Sequence, residues 1–250
     1  MNPLQIILLT ELKPFWKRAG IELLVSVLTI VILYIGFAIG LSSLIPKVQT
    51  VVLREWFFPG IIGFYAIIMT FNLSLQEINQ LSPKKGLLDQ VYSTPLVAYQ
   101  VYCVKSLICL FQGIAYLIVS SLVLFLLAGK NIQLGWLILF WLYYIVGLIF
   151  IVQAGVITGF ILIKNKLQHG MILMLFIAIL LCTGTIIPSS FYPGILYPIV
   201  KFFPTNVLIE GGRELLVFHK LSGVFILYLI VFDSMLTGIG YFVFRRQITN

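Results

Sequence analysis

Residues 134–163 read LGWLILFWLYYIVGLIFIVQAGVITGFILI, thirty consecutive positions without an aspartate, glutamate, lysine or arginine. About 20 apolar residues in a helix cross the roughly 30 Å hydrocarbon core of a bilayer, so this run is long enough to span it with tilt. Five more predominantly apolar runs long enough to cross lie at 21–45, 57–77, 98–128, 169–188 and 221–244. The chain is 61% hydrophobic and 10% charged, whereas ordinary globular domains carry about 25% charge. The expected fold is an all-α integral membrane protein, with six transmembrane helices in a single domain over 1–250. The first run begins too late and is too long for a cleavable signal peptide.

Charge placement orients the six helices. With the N-terminus inside, the inner segments hold Lys13, Lys17, Arg18, Lys84, Lys85, Lys164, Lys166, Arg245 and Arg246. The outer segments hold Lys47, Arg54, Lys130, Lys201, Arg213 and Lys220. Nine against six, with the short-loop clusters on the inner side, places both termini in the cytoplasm of a multi-pass cell-membrane protein. The net charge of +8 is dispersed at the ends of the spans. It suits anionic membrane lipid and forms no nucleic-acid-binding stripe.

Three segments outside the spans stand out. Residues 1–20, MNPLQIILLTELKPFWKRAG, read as an N-terminal interfacial helix. Residues 82–96, SPKKGLLDQVYSTPL, predict a short helix over 82–95. Ser82 is its N-cap, Pro83 its first residue and Pro95 its stop, with Leu87, Leu88, Val91 and Tyr92 at helical spacing. Prolines 188, 193, 198 and 204 break an aromatic stretch too short to cross the membrane. We expect an external re-entrant segment at 189–206, because irregular backbone at membrane depth survives only against protein or water.

Catalytic patterns are absent. There is no P-loop, nucleophile elbow or H-E-x-x-H helix, and His169 and His219 fall on opposite sides of the membrane in this topology. No catalytic, metal or cofactor residue is therefore assigned. Cys103, Cys109 and Cys182 have no paired spacing and read as packing residues. Gly36 with Gly40, and Gly155 with Gly159, form G-x-x-x-G pairs that allow close helix contact.

Intramembrane charge is the remaining signal, since an ionised group at the bilayer centre costs about 2.5–3.5 kcal/mol even on lenient scales. Lys105 lies near the start of its span, from which its long stem can snorkel to the interface. Asp233 is short and central. It reads either as a substrate- or proton-linked carboxylate or, the reading we take, as a structural anchor hydrogen-bonded to Gln153 or Thr158.

The stretch Lys84-Lys85-Gly86-Leu87-Leu88-Asp89-Gln90-Val91-Tyr92-Ser93-Thr94-Pro95 resembles a motif of type-2 ABC exporter permeases. In that family a basic pair precedes G-T-L-E-Q-L-hydrophobic-x-T-P between the second and third spans. Lys105 matches a lysine often placed at the start of the third span. Residues 203–213, FPTNVLIEGGR, are similar to the family's P-x-x-x-x-x-E-x-x-R, and Phe58-Pro59-Gly60 resembles the P-G of its drug-exporter branch. Ser82 and Pro83 stand where an acidic residue often precedes the basic pair.

The resemblance implies a permease that pairs with a second copy or paralogue and with separate ATP-binding cassette ATPase subunits. It would bind no cofactor itself, since ATP and magnesium would sit on the ATPase. Residues 82–95 would be a cytoplasmic coupling helix, with Lys84, Lys85, Gly86, Leu87, Leu88, Asp89, Tyr92 and Pro95 as its working positions. By their i,i+3 spacing Glu210 and Arg213 are neighbours on a short helix before the last span, either an exposed pair orienting an external gate or a solvated surface pair. The cargo would be lipophilic or amphipathic: a drug, antibiotic peptide, lipid or lipid-linked glycan. An ATP-independent transporter or channel using Asp233 and Lys105, and a scaffold or sensor subunit without cargo, are the alternatives.

Overall fold

The computed structural model describes residues 21–22, 24–43, 45, 47–48, 51–80, 98–128, 133–165, 169–185, 188–220 and 222–249. The expected interfacial helix at 1–20 and coupling helix at 82–95 lie outside the described residues. Helix α1 covers Leu24–Ile39 and is π-helical over Tyr34–Ile39. A two-stranded antiparallel hairpin follows, β1 (Lys47–Val48) pairing with β2 (Val51–Val52). It leads into α2 (Leu53–Gln80), then α3 (Ala98–Ala128) and α4 (Leu134–Asn165). Helix α5 (His169–Leu180) passes into a π-helical stretch, Leu181–Thr185. After a 3-10 turn at Ser189–Phe191 come α6 (Leu196–Lys201), α7 (Pro204–Phe218) and α8 (Gly223–Thr249).

Four of these helices are long and apolar enough to cross a membrane: Leu53–Asn79, Tyr102–Leu127, Leu134–Leu162 and Gly223–Val243. They correspond to the predicted runs 57–77, 98–128, 134–163 and 221–244. Within the described residues, Leu24–Ile39 and His169–Leu180 are apolar but shorter.

Helix α2 is the central strut, packed against α3, α4 and α7, and α8 covers α4. Phe57, Phe58, Ile62, Leu117, Phe140, Tyr144, Leu148, Ile151, Leu208 and Leu215 share one buried cluster. The Gly155 and Gly159 pair is a true close approach. A Cβ at Gly155 would come within 2.5 Å of the Ser74 Cβ, and one at Gly159 within 2.9 Å of Ile78. The Gly36 and Gly40 pair differs: a Cβ at Gly36 would meet nothing, and one at Gly40 would meet only its own helix.

Helix α7 enters the bundle from the side. Pro204 opens it, where no backbone donor is needed, and His219 closes it in the left-handed region at φ 52° with its ring stacked on Trp136. The Tyr143 hydroxyl donates to the Val207 carbonyl at 2.7 Å. Leu208 fills the space above Gly147, while Gly212 lies against Phe140 and Tyr144. Helix α7 thus lies along the half of α4 that begins at Leu134, and almost all its residues from Pro204 to Leu216 are buried. Phe191, Ile195, Leu196, Ile199 and Phe202 are exposed. The expected re-entrant segment at 189–206 thus comprises the 3-10 turn, α6 and the first residues of α7.

Candidate functional site

Two polar constellations sit at opposite ends of α2. At the hairpin end, Arg213 reaches from α7 into the bundle and is only 1% exposed. Its Nη1 donates to the Gly184 carbonyl and its Nη2 to the Thr185 carbonyl, each at 2.5 Å. Its Nε lies 3.4 Å from the Trp56 carbonyl, and its Cζ stands 4.4 Å from the centroid of the Trp56 ring.

Local chemistry explains this placement. The last carbonyls of a helical stretch have no partner along the chain and carry the negative end of its dipole, which suits a guanidinium with a rigid fork of donors. Gly60 leaves room for the fork, because a Cβ there would come within 2.9 Å of both Nη2 and the Thr185 carbonyl. Gly184 turns the chain at φ +82°, where a side chain would be strained.

Glu210 stands 3.6 Å from Nη1 and also accepts the Ser189 N–H at 3.4 Å. The sequence suggests an exposed pair worth a few tenths of a kcal/mol. The observed arginine is instead buried, and its shortest bonds go to backbone carbonyls of other elements. Burial pulls Arg213 down to about 10, with Glu210 opposing, so it stays charged at neutral pH. A cleft of about 320 Å³ opens above it, bounded by Trp56, Ser189, Glu210, Glu214 and Lys220. Partial burial, and then Glu210, push Glu214 above the ordinary carboxylate range, against the pull of Lys220.

At the opposite end, Lys105 Nζ lies 2.8 Å from Glu77 Oε2, with the two side chains only 9% and 16% exposed. The lysine therefore ends on a carboxylate of α2, where the sequence suggested a cation snorkelling to the interface. Glu77 is in the last turn of α2 and Lys105 in the second turn of α3, so the ion pair clasps the two helices that bracket 81–97. Nearby, the Tyr102 hydroxyl donates to Gln153 Oε1, tying α3 to α4. His169 joins α5 to α2 through Asn72 Oδ1, 2.9 Å from its Nε2, and Asn79 Nδ2, 3.4 Å from its Nδ1.

Lys84, Lys85, Gly86, Leu87, Leu88, Asp89, Tyr92 and Pro95 lie outside the described residues. Glu210 and Arg213 are brought together; Lys105 and Asp233 are not paired with each other. Asp233 is buried, and its Oδ1 has no hydrogen-bond partner among the described residues. Neither side chain expected as its partner is hydrogen-bonded to Oδ1. Gln153 accepts from Tyr102, and Thr158 Oγ1 donates to the Ala154 carbonyl at 2.6 Å.

No protein-family model and no curated protein matches the chain. The family reading rests on the residues that carry it.

Sequence reasoning missed Glu77 and Trp56, and it marked Gly60 only through the Phe58-Pro59-Gly60 resemblance, not as room for the arginine. It also missed Glu22, whose carboxylate accepts from the Tyr116 hydroxyl at 3.1 Å. A signal for Glu77 was present: an acid closes one apolar run and a base opens the next. Nothing local marked Trp56 or the carbonyls of Gly184 and Thr185 as partners of a distant arginine.

Proposed function

We propose that the chain is the permease subunit of an ATP-binding cassette exporter of the type-2 family, driven by separate ATPase subunits. In this reading it has six spans, with α1 and α5 completing the four long helices, and both termini lie in the cytoplasm of the cell membrane. The hairpin end of the bundle then faces outward, and residues 82–95 form the coupling helix. Two permease copies or paralogues would enclose the path of a lipophilic or amphipathic cargo.

The observation that carries the reading is the Glu77–Lys105 ion pair, set just before and just after the segment that resembles a coupling helix. A coupling helix on a loosely joined hairpin would dissipate a push as local bending. Clasped ends oblige α2 and α3 to move together. Because α2 also contacts α7 through Trp56 and Gly60, displacement at one end of α2 is felt by the arginine clamp at the other. ATP binding and hydrolysis would then shift the population between two arrangements of these helices, with the coupling helix touching the ATPase differently in each.

The secondary-transporter alternative used Lys105 and Asp233 as an ion-linked pair. Engagement of Lys105 by Glu77 weakens it. To test the proposal, the tagged full chain is purified from native membranes and its partners are identified by mass spectrometry. An ATP-binding cassette ATPase should co-purify in stoichiometric amount. ATP-independent transport by the purified chain in vesicles, with no ATPase captured, would overturn the reading.

A further inference from the structure

Two π-helical stretches, Tyr34–Ile39 at the end of α1 and Leu181–Thr185 after α5, face the same cavity. The cavity has a volume of about 230 Å³ and is lined by Leu33, Phe37, Phe57, Ile61, Phe64 and Leu181, with Thr185 at its edge. The Thr185 hydroxyl is spent on the Leu180 carbonyl at 2.7 Å, and among the described residues no polar atom faces the space. π-Helix makes up well under 1% of residues in proteins and recurs at functional sites, where the widened turn redirects side chains. Two such stretches on facing walls give the cavity its shape. The second wall is held by Arg213, which grips the carbonyls of Gly184 and Thr185.

An apolar cavity of about 150 Å³ stays dry and takes up hydrocarbon, so the larger space here suits a hydrocarbon occupant. On the walls contributed by α1 and by the π-helical stretch after α5, Ile32, Ile35, Ile39 and Leu181 are exposed. That flank is continuous with the apolar surface an integral membrane protein presents to acyl chains. Among the described residues the lining contains no charged residue able to hold a headgroup or an amphipathic cargo's polar end. We propose that this cavity binds one acyl chain of a membrane phospholipid, admitted sideways from the bilayer between α1 and the π-helical stretch after α5. The inference requires only that the chain be embedded in a bilayer and does not depend on the exporter reading.

The full chain is reconstituted into phosphatidylcholine and phosphatidylglycerol vesicles containing a phosphatidylcholine with a diazirine midway along one acyl chain. After irradiation, labelled residues are mapped by peptide mass spectrometry. Phe37, Phe57 and Phe64 should be labelled several-fold above Met174, an exposed apolar residue of α5 outside the cavity. Filling the space with Ile61→Trp, or more gently with Leu33→Phe, should reduce the cavity label to the Met174 level and leave Met174 unchanged. Labelling of the three phenylalanines at or below Met174 in the wild-type chain would overturn the proposal. So would cavity labelling that persists in a filled variant. Burial of the mouth by a second copy would appear as the first of these results.

Discussion

Replacing Arg213 by methionine tests whether the guanidinium clamp holds α7 to the bundle. The change keeps much of the side-chain volume and removes both 2.5 Å bonds to the Gly184 and Thr185 carbonyls. Hydrogen bonds to a charged donor contribute about 1.5–3 kcal/mol each, and a buried carbonyl left alone costs about 1–3 kcal/mol. Against this stands relief of the desolvation cost of a buried cation, so the net loss is about 3–5 kcal/mol, the range seen when one partner of a buried charged contact is removed. For a chain of this size about 1 kcal/mol moves a melting midpoint by about 2–4 °C, giving a drop of about 6–20 °C. Arg213→Lys keeps the charge but not the planar fork, so it should fall between wild type and Arg213→Met. Glu210→Gln should cost only about 0–1 kcal/mol, because its contact is longer and partly exposed. Thermal unfolding of detergent-purified protein, followed by fluorescence-detected size exclusion, reads all three. A midpoint for Arg213→Met indistinguishable from wild type would refute the reasoning. An equal loss for Glu210→Gln would show that the carboxylate, rather than the carbonyls, holds the arginine.

Three further outcomes are expected. Glu77→Gln and Lys105→Met should each lower stability by about 3–5 kcal/mol, and the double variant by less than their sum, measured as a double-mutant cycle on the melting midpoint. Gly155→Leu should cost about 1–3 kcal/mol or more by forcing α4 away from Ser74 and Phe71, whereas Gly36→Leu should leave the monomer's midpoint unchanged. Asp233→Asn and Asp233→Leu should both keep expression and midpoint at or above wild type, since no partner of Oδ1 is orphaned; a large loss for leucine alone would reveal one.

The apolar runs that became α2, α3, α4 and α8 were legible because spanning a bilayer demands an uninterrupted length of hydrocarbon, and few other structures tolerate one. The run at 169–188 was less legible. It turns π-helical after Leu180 because Gly184 adopts a positive φ and the closing carbonyls find Arg213 instead of their own helix. No period in the sequence announces that. Arg213 itself was marked by its spacing from Glu210, but its chief partners are 28, 29 and 157 positions away along the chain. Those contacts exist only once α7 lies against α2. Lys105 was legible as a charge that needs an explanation, and the explanation sits at the end of the preceding span. For Asp233 the burial was foreseen, but the expected hydrogen bond from Gln153 or Thr158 to Oδ1 is not formed, and nothing in the spacing of three different helix positions could have announced that.

On the proposed function, residues 82–95 would deliver the work of an ATPase to α2 and α3, clasped by Glu77 and Lys105. That delivery is tested most directly by placing a photoreactive amino acid at Asp89 and irradiating native membranes during ATP turnover. The expected product is a cross-link to an ATP-binding cassette ATPase subunit whose yield changes between ATP-bound and nucleotide-free conditions. Efficient labelling of lipid or of other chains, with no ATPase captured under either condition, would contradict it.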